Sequence, residues 1–139
     1  MKHQSPSVGE SRLERGKRAL ADIDGEAGHN VIAALADIAP DFADYIFEFP
    51  FGDIYCRPGL DLRAREVATI AALTAMGTAT PQLKVHIAAG LNVGLTKDEI
   101  TEVIIQMAVY AGFPAALNGL FAAKEIFAAR PPGQNRAPG

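Results

Sequence analysis

The chain has 139 residues, a formal net charge of −3 and 49% hydrophobic residues, and it contains no Trp. That length fits one domain, and the absence of a basic cluster argues against nucleic-acid binding, which needs Lys and Arg massed on one face. No uninterrupted apolar run is long enough to predict a membrane span, and the single cysteine, Cys56, excludes an internal disulfide framework. The polar stretch from Met1 to Arg12 does not resemble a signal peptide, so we expect a soluble cytoplasmic protein.

Much of the apolar content is alanine. Small side chains let helices approach closely but bury little area each, so such a core is often completed by a partner subunit. We therefore expect self-association. The small-residue stretches 68–76 and 86–90 are predicted to pack at the centre of each subunit.

The residue pattern predicts one all-α domain over 10–130, flanked by flexible tails at 1–9 and 131–139. No alternating strand pattern appears. In the first half, helices are predicted from about Glu10 to Ile23, from about His29 to Ile38, and from Pro40 through Phe49. A short irregular segment is expected where helix-breaking residues cluster, at Pro50, Gly52, Pro58 and Gly59.

The second half predicts four more helices with clear boundary signals. The fourth runs from an Asp61 N-cap to Met76, and the fifth from Thr80, as a capping residue, to the region of Gly94. The sixth begins with a capping box formed by Thr96 and Glu99, and the seventh ends near Ala129. This makes a compact bundle of about six to seven helices.

Two titratable residues, Glu66 and His86, lie on the consecutive fourth and fifth helices. His86 is flanked by apolar residues, and the pattern alone also suits a core histidine with no catalytic role. Glu66 lies near a helix start, where an exposed acid is an equally ordinary reading. Because the helices are joined by a short turn, the two residues are predicted to lie at similar depth and to approach within hydrogen-bonding distance at the wall of a pocket.

Other polar residues are candidates for substrate binding. Arg57 lies in an irregular, aromatic-rich segment beside Tyr55, where a guanidinium suits a carboxylate but equally suits helix capping or a subunit contact. Arg63 or Arg65 could serve in its place. Gln106 and Tyr110 continue a polar stripe from Glu102 on the sixth helix and are expected to reach a cavity or a subunit interface. No metal cluster is apparent, and we expect no metal and no cofactor.

Three strings carry a family resemblance: F-G-D-I-Y-C-R-P-G-L-D-L-R-A-R-E, Q-L-K-V-H-I-A-A-G-L-N-V-G-L-T-K-D-E-I and Y-A-G-F-P-A-A-L-N. They resemble the carboxymuconolactone decarboxylase family, whose members are small all-helical proteins related to alkylhydroperoxidase D. The resemblance implies that fold, a ring-like homo-oligomer that is most often a hexamer or otherwise a trimer, and a Glu–His proton relay at Glu66 and His86. The C-x-x-C of the peroxidase branch is replaced by Ala79 and Gln82, so a dithiol peroxidase mechanism is rejected.

The resemblance implies loss of CO2 from 4-carboxymuconolactone to give 3-oxoadipate enol-lactone, without a cofactor, during breakdown of protocatechuate. His86 and Glu66 would then be catalytic, and Tyr55, Arg57, Arg63, Gln106 and Tyr110 would bind a small anionic substrate. The chain departs from the decarboxylases at V-H-I-A, where Ala88 stands in place of an arginine. A paralogue with another small carboxylated substrate and a non-catalytic oligomeric binding protein therefore remain alternatives.

Overall fold

The regular secondary structure in the computed structural model, which describes residues 8–130, is entirely helical. The predicted all-α class is thus confirmed for those residues. The helices, in chain order, are α1 (Arg12–Ile23), α2 (Gly25–Ala34), α3 (Phe42–Ile46), which continues into a π-helical segment (Phe47–Ile54), then α4 (Leu62–Met76), α5 (Thr80–Asn92), α6 (Lys97–Ala111) and α7 (Phe113–Ala129). None of these helices combines the length and apolar character needed to cross a bilayer.

The chain divides into two compact units between Leu62 and Arg63. The prediction of one domain over 10–130 stays a prediction. Of the expected tails, residues 1–7 and 131–139 lie outside the described residues.

In the first unit, α1 packs directly on the π-helical segment. The helix starts with a capping box in which the Ser11 hydroxyl accepts from the Glu14 amide at 3.1 Å and the Glu14 carboxylate accepts from the Ser11 amide at 2.9 Å. The backbones meet at Gly16, where a Cβ would lie 1.7 Å from the Phe47 carbonyl oxygen. The Arg15 Nε donates to the Gly52 carbonyl at 2.7 Å, which ties the two elements together.

Four predicted boundaries in this unit are wrong. α1 ends at Ile23 as predicted, but Gly25, with a positive φ of 57°, changes the direction of the chain and already belongs to the next helix. α2 therefore begins at Gly25 rather than near His29, and it ends at Ala34 rather than Ile38. The third helix starts at Phe42 rather than Pro40. The segment expected to be irregular from Pro50 onward instead stays helical to Ile54.

The second unit is built on a core of aliphatic side chains from α4 to α7. Those that are almost fully buried are Ile70, Leu83, Ile87, Leu91, Ile100, Ile104, Ala122 and Ala123. The Thr96–Glu99 capping box at the start of α6 is confirmed, with the Thr96 hydroxyl 3.0 Å from the Glu99 amide. Gly112, at a φ of 93°, is the single residue between α6 and α7.

Two expectations for the second unit need correction. Thr80 does not cap α5, because Ala79 holds the N-cap position and Thr80 is already helical. Stretch 68–76 is not central as a whole, since only Ile70 and Thr74 in it are buried while Ala68, Ala72 and Ala75 are exposed. A helix that packs through one face leaves its other faces to solvent, whatever the size of their side chains.

Arg130 closes this unit at the C-terminal ends of two helices. Its guanidinium donates to Asn92 Oδ1 and, at 3.4 Å, to the Ala88 carbonyl, both in the last turns of α5. A cation there complements the partial negative charge of both helix ends. Burial lowers the pKa of Arg130 from its ordinary value. The side chain thereby holds the end of α7 against the end of α5.

Candidate functional site

Glu66 lies on the only buried face of α4. The buried residues of that helix, Glu66, Ile70 and Thr74, are spaced at intervals of four and therefore share a face. Glu66 is 0% exposed, which rules out the alternative of a solvated acid near a helix start. A carboxylate is costly to bury unless it is paired or hydrogen-bonded, so its partner identifies the site.

That partner is His86 on α5. Its Nδ1 lies 3.1 Å from Glu66 Oε2, and 18% of the His86 side chain is exposed. The predicted approach of these two residues is confirmed, while their catalytic roles and the predicted pocket stay predictions. The neighbours Ile87 and Leu83 are buried in the core, which fixes the face of α5 that carries the imidazole.

The chemistry of the pair is set by the hydrogen-bonding capacity of each atom. When Glu66 is ionised it can only accept hydrogen bonds, and in that state the His86 Nδ1 carries the proton that Glu66 Oε2 receives. This arrangement selects one tautomer and stabilises the imidazolium when the ring takes a second proton. The other carboxylate oxygen, Glu66 Oε1, is buried without a hydrogen-bond partner. A buried acid with an unsatisfied oxygen is expensive for folding and typical of a functional position.

Two candidate substrate-binding residues, Tyr55 and Arg57, belong to the first unit. The Tyr55 ring stacks on Phe51, with centroids 5.3 Å apart, at the end of the π-helical segment. Arg57 is exposed in the next turn of the chain, and its amide donates to the Ile54 carbonyl at 3.1 Å. Their contact with a substrate stays a prediction.

Arg63, in the first turn of α4, has protein acceptors for its guanidinium. Nη1 donates to the Gly94 carbonyl and Nη2 to Glu99 Oε1 at 2.8 Å. The Thr96 amide and then Arg63 hold the pKa of the Glu99 carboxyl below its usual range. Sequence reasoning identified Glu99 as a capping residue but missed its link to Arg63. The capping pattern is local, whereas this pair is separated by 36 residues.

Gln106 and Tyr110 are exposed on α6, with Tyr110 at 78%. They accompany large apolar side chains that are also exposed. We call this surface the α6–α7 apolar face, and it consists of Ile105, Val109, Tyr110, Phe113, Leu117 and Phe121. Of the two expectations for Gln106 and Tyr110, a cavity or a subunit interface, this exposure favours the interface.

The sequence is similar to a known protein family and to known decarboxylases. The model described as "Carboxymuconolactone decarboxylase family" matches residues 40–125. A 4-carboxymuconolactone decarboxylase of Acinetobacter baylyi is 36% identical over 119 residues, which cover 85% of this chain and 88% of that protein.

Two further relatives are more distant. An uncharacterized 15.0 kDa protein of Paracoccus denitrificans is 32% identical over 117 residues, covering 84% of this chain and 87% of its own length. A nitrosuccinic acid decarboxylase of Metarhizium robertsii is 29% identical over 109 residues, covering 78% of this chain and 76% of its own length. Two of the three relatives are thus named as decarboxylases.

Proposed function

Because the chain belongs to the carboxymuconolactone decarboxylase family, we propose that it is a cofactor-independent decarboxylase of a small carboxylated lactone. The reaction would be of the type that converts 4-carboxymuconolactone to 3-oxoadipate enol-lactone, in the cytoplasmic breakdown of aromatic compounds. The observation that carries the proposal is the 3.1 Å contact between a buried carboxylate and a partly exposed imidazole. Dithiol peroxidase chemistry is disfavoured, because the chain holds one cysteine.

This decarboxylation requires only electrostatic stabilisation and one proton transfer from the protein. As the carboxylate leaves as CO2, its electron pair moves through the ring double bond into the lactone carbonyl, so the substrate provides its own electron sink. The enzyme must then stabilise the developing dienolate and return one proton to carbon. As an imidazolium, the His86 ring provides a hydrogen-bond donor and that proton from Nε2, and Glu66 orients the ring through Nδ1 and balances its charge. Arg57 is our candidate for binding a substrate carboxylate.

The decisive assay incubates chelator-treated protein with 4-carboxymuconolactone and monitors CO2 and enol-lactone. We expect turnover by the wild type and a loss of roughly 10²–10⁴-fold in His86→Ala, the usual contribution of a general acid–base group. His29→Ala, at an exposed position on α2, is the matched control and should retain activity. An inactive but folded wild-type protein would contradict this substrate assignment.

A second candidate is a family member that acts on a different small carboxylated substrate. It is favoured by the relative named nitrosuccinic acid decarboxylase and by Ala88 in V-H-I-A. The same assay with nitrosuccinate and other small dicarboxylates separates the two. CO2 release from one of these, lost in His86→Ala, would keep the site and change the substrate.

We further propose that the protein is a closed homo-oligomer, a hexamer or a trimer, and that a second copy covers the α6–α7 apolar face. Val109 is 76% exposed and Phe113 75%, whereas side chains of this size are usually covered when they cluster. Light scattering should give the mass of an oligomer. Val109→Glu should reduce it, while Ala72→Glu, at an exposed position on α4, should not. A monomeric wild type at micromolar concentration would overturn this proposal.

A further inference from the structure

Arg63 anchors the first turn of α4, the helix that carries Glu66. Arg63 lies three residues before Glu66 on α4 and reaches across to the connection between α5 and α6. Two of its guanidinium nitrogens donate to different acceptors, the Gly94 carbonyl in that connection and the Glu99 carboxylate in the first turn of α6. A planar guanidinium held by two acceptors has a defined orientation, which a single contact would not give.

The acceptors are themselves held in place. Gly94 turns the chain at a φ of 101°, directly after α5. Glu99 Oε2 accepts from the Thr96 amide at 2.8 Å, so one carboxylate caps α6 with one oxygen and binds Arg63 with the other. Both acceptors are therefore fixed relative to α5 and α6. Through its hydrogen bonds to them, Arg63 holds the first turn of α4 in place against those two helices.

The geometry points to a positioning role. At a rise of about 1.5 Å per residue, Arg63 lies about 4.5 Å from Glu66 along α4, and Asn92, the last residue of α5, lies about 9 Å from His86 along that helix. We propose that Arg63 is a positioning residue that sets the axial register of α4 against α5, so that Glu66 Oε2 receives the His86 Nδ1 proton. Its effect on turnover rests on the proposed function, but its effect on the Glu66–His86 contact does not.

This inference differs from the substrate-binding role that the sequence suggested for Arg63. The Arg63 side chain is 43% exposed and Glu99 44%, and an ion pair so exposed adds little to global stability. The two roles therefore make different predictions. Loss of a substrate contact raises KM, whereas loss of register lowers kcat and changes the resting state of the imidazole.

The test is nitrogen NMR on protein labelled at histidine, which reports the ring tautomer without any substrate. Of the three histidines in the chain, His86 is assigned with His86→Gln. We expect the wild type to show a His86 Nδ1–H that exchanges slowly with solvent. In Arg63→Gln we expect that protected signal to be lost, with kcat about 10-fold lower; a misplacement near 1 Å can cost roughly 10²-fold.

Two variants sharpen the comparison. Glu99→Gln keeps the capping box, since Gln serves there as well as Glu, but weakens the charge on which Arg63 depends, so its effect should be intermediate. Lys84→Gln is the matched control. Lys84 lies on α5, the helix of His86, and forms a 2.5 Å ion pair with Glu125 on α7, so this substitution removes an ion pair that does not involve α4. It should leave the Nδ1 signal unchanged.

The outcomes are distinct. An Arg63→Gln protein with the wild-type signal and kcat overturns the positioning role, and a rise in KM alone assigns Arg63 to substrate binding instead. Loss of the signal in Lys84→Gln as well would also overturn it, because any surface ion pair would then have the same effect. A wild type that shows the protected signal but decarboxylates nothing refutes the proposed function and leaves the positioning inference intact.

Discussion

At the residue scale, Thr74 presents an unsatisfied hydroxyl in the core of the second unit. Its side chain is 1% exposed and its Oγ1 has no hydrogen-bond partner. Leaving a buried polar group unpaired costs about 1–3 kcal/mol, and Thr74→Val removes that group at nearly constant volume. We expect the free energy of unfolding, measured in urea, to rise by about 1 kcal/mol.

Thr69 on the same helix is the control, because its hydroxyl donates to the Arg65 carbonyl at 2.9 Å. Thr69→Val should be neutral or slightly destabilising. If Thr74→Val lowers stability by more than Thr69→Val, the hydroxyl has a partner in solution and the prediction is wrong.

Sequence reasoning located the contact between Glu66 and His86 because it depends on few variables. Glu66 and His86 lie within a few residues of the same distance from the short turn between α4 and α5, and the rise per residue then predicts similar depth. The partners of Arg63 depend on several side-chain torsions and on the path of the connection after α5. No local pattern contains that information, so the contacts of Arg63 with Gly94 and Glu99 could not be predicted.

At the scale of the elements, the packing of α1 on the π-helical segment depends on Gly16. A Cβ at that position would lie 1.7 Å from the Phe47 carbonyl oxygen and 2.3 Å from its carbon, both of them backbone atoms that cannot rotate away. We expect Gly16→Ala to separate the two elements and to lower the free energy of unfolding by about 3 kcal/mol.

Gly59→Ala is the control, since a Cβ there would meet no heavy atom within 4 Å. Its stability should stay close to that of the wild type. Equal stability of the two variants would mean that α1 does not approach the segment as closely as described.

Helix boundaries were predictable where the capping chemistry is local, as at Thr96 and Glu99. The boundary near Pro50 was not predictable, because a proline there indicates the end of a helix, whereas the helix continues to Ile54. The Tyr55 amide donates to the Pro50 carbonyl at 2.8 Å, five residues back, so the wider π-helical turn carries the helix past the proline. Proline lacks an amide hydrogen but keeps its carbonyl oxygen. The hydrogen bond from the Tyr55 amide uses only that oxygen, so it can form at Pro50.

For the whole molecule, acid should weaken both units. Arg12 donates to Asp53 at 2.6 Å in the first unit and lowers the pKa of that carboxyl, and the Thr96 amide and Arg63 lower the pKa of Glu99 in the second. A carboxyl whose pKa is lower in the folded state than in the unfolded state stabilises the fold at any pH above its unfolded-state pKa. That stabilisation is lost as the pH falls through its folded-state pKa. We expect Tm to drop slightly as the pH falls below the ordinary values of 4.5 and 3.8, because these carboxyls are partly exposed and solvent screens their ion pairs.

The measurement is thermal unfolding across that range, at low and high salt. Asp53→Asn should flatten part of the acid slope, whereas Asp22→Asn, an exposed position on α1 outside this network, should not. An acid slope unchanged in Asp53→Asn would show that this ion pair does not contribute to the pH dependence.

The π-helical segment Phe47–Ile54 is a place where the chain can lose one residue and stay helical. In an α-helix, one residue corresponds to a rotation of about 100°, and a π-helical turn accommodates one residue more than an α-helical turn. Deletion of one residue between Phe47 and Ile54 would thus return a turn to α-helical geometry and leave the direction of the downstream backbone largely unchanged, rather than break the helix. Tyr55 and Arg57 lie immediately downstream. A single-codon deletion in this segment would therefore shorten the chain without redirecting either side chain, whereas the same deletion in an α-helical turn would rotate both by about 100°.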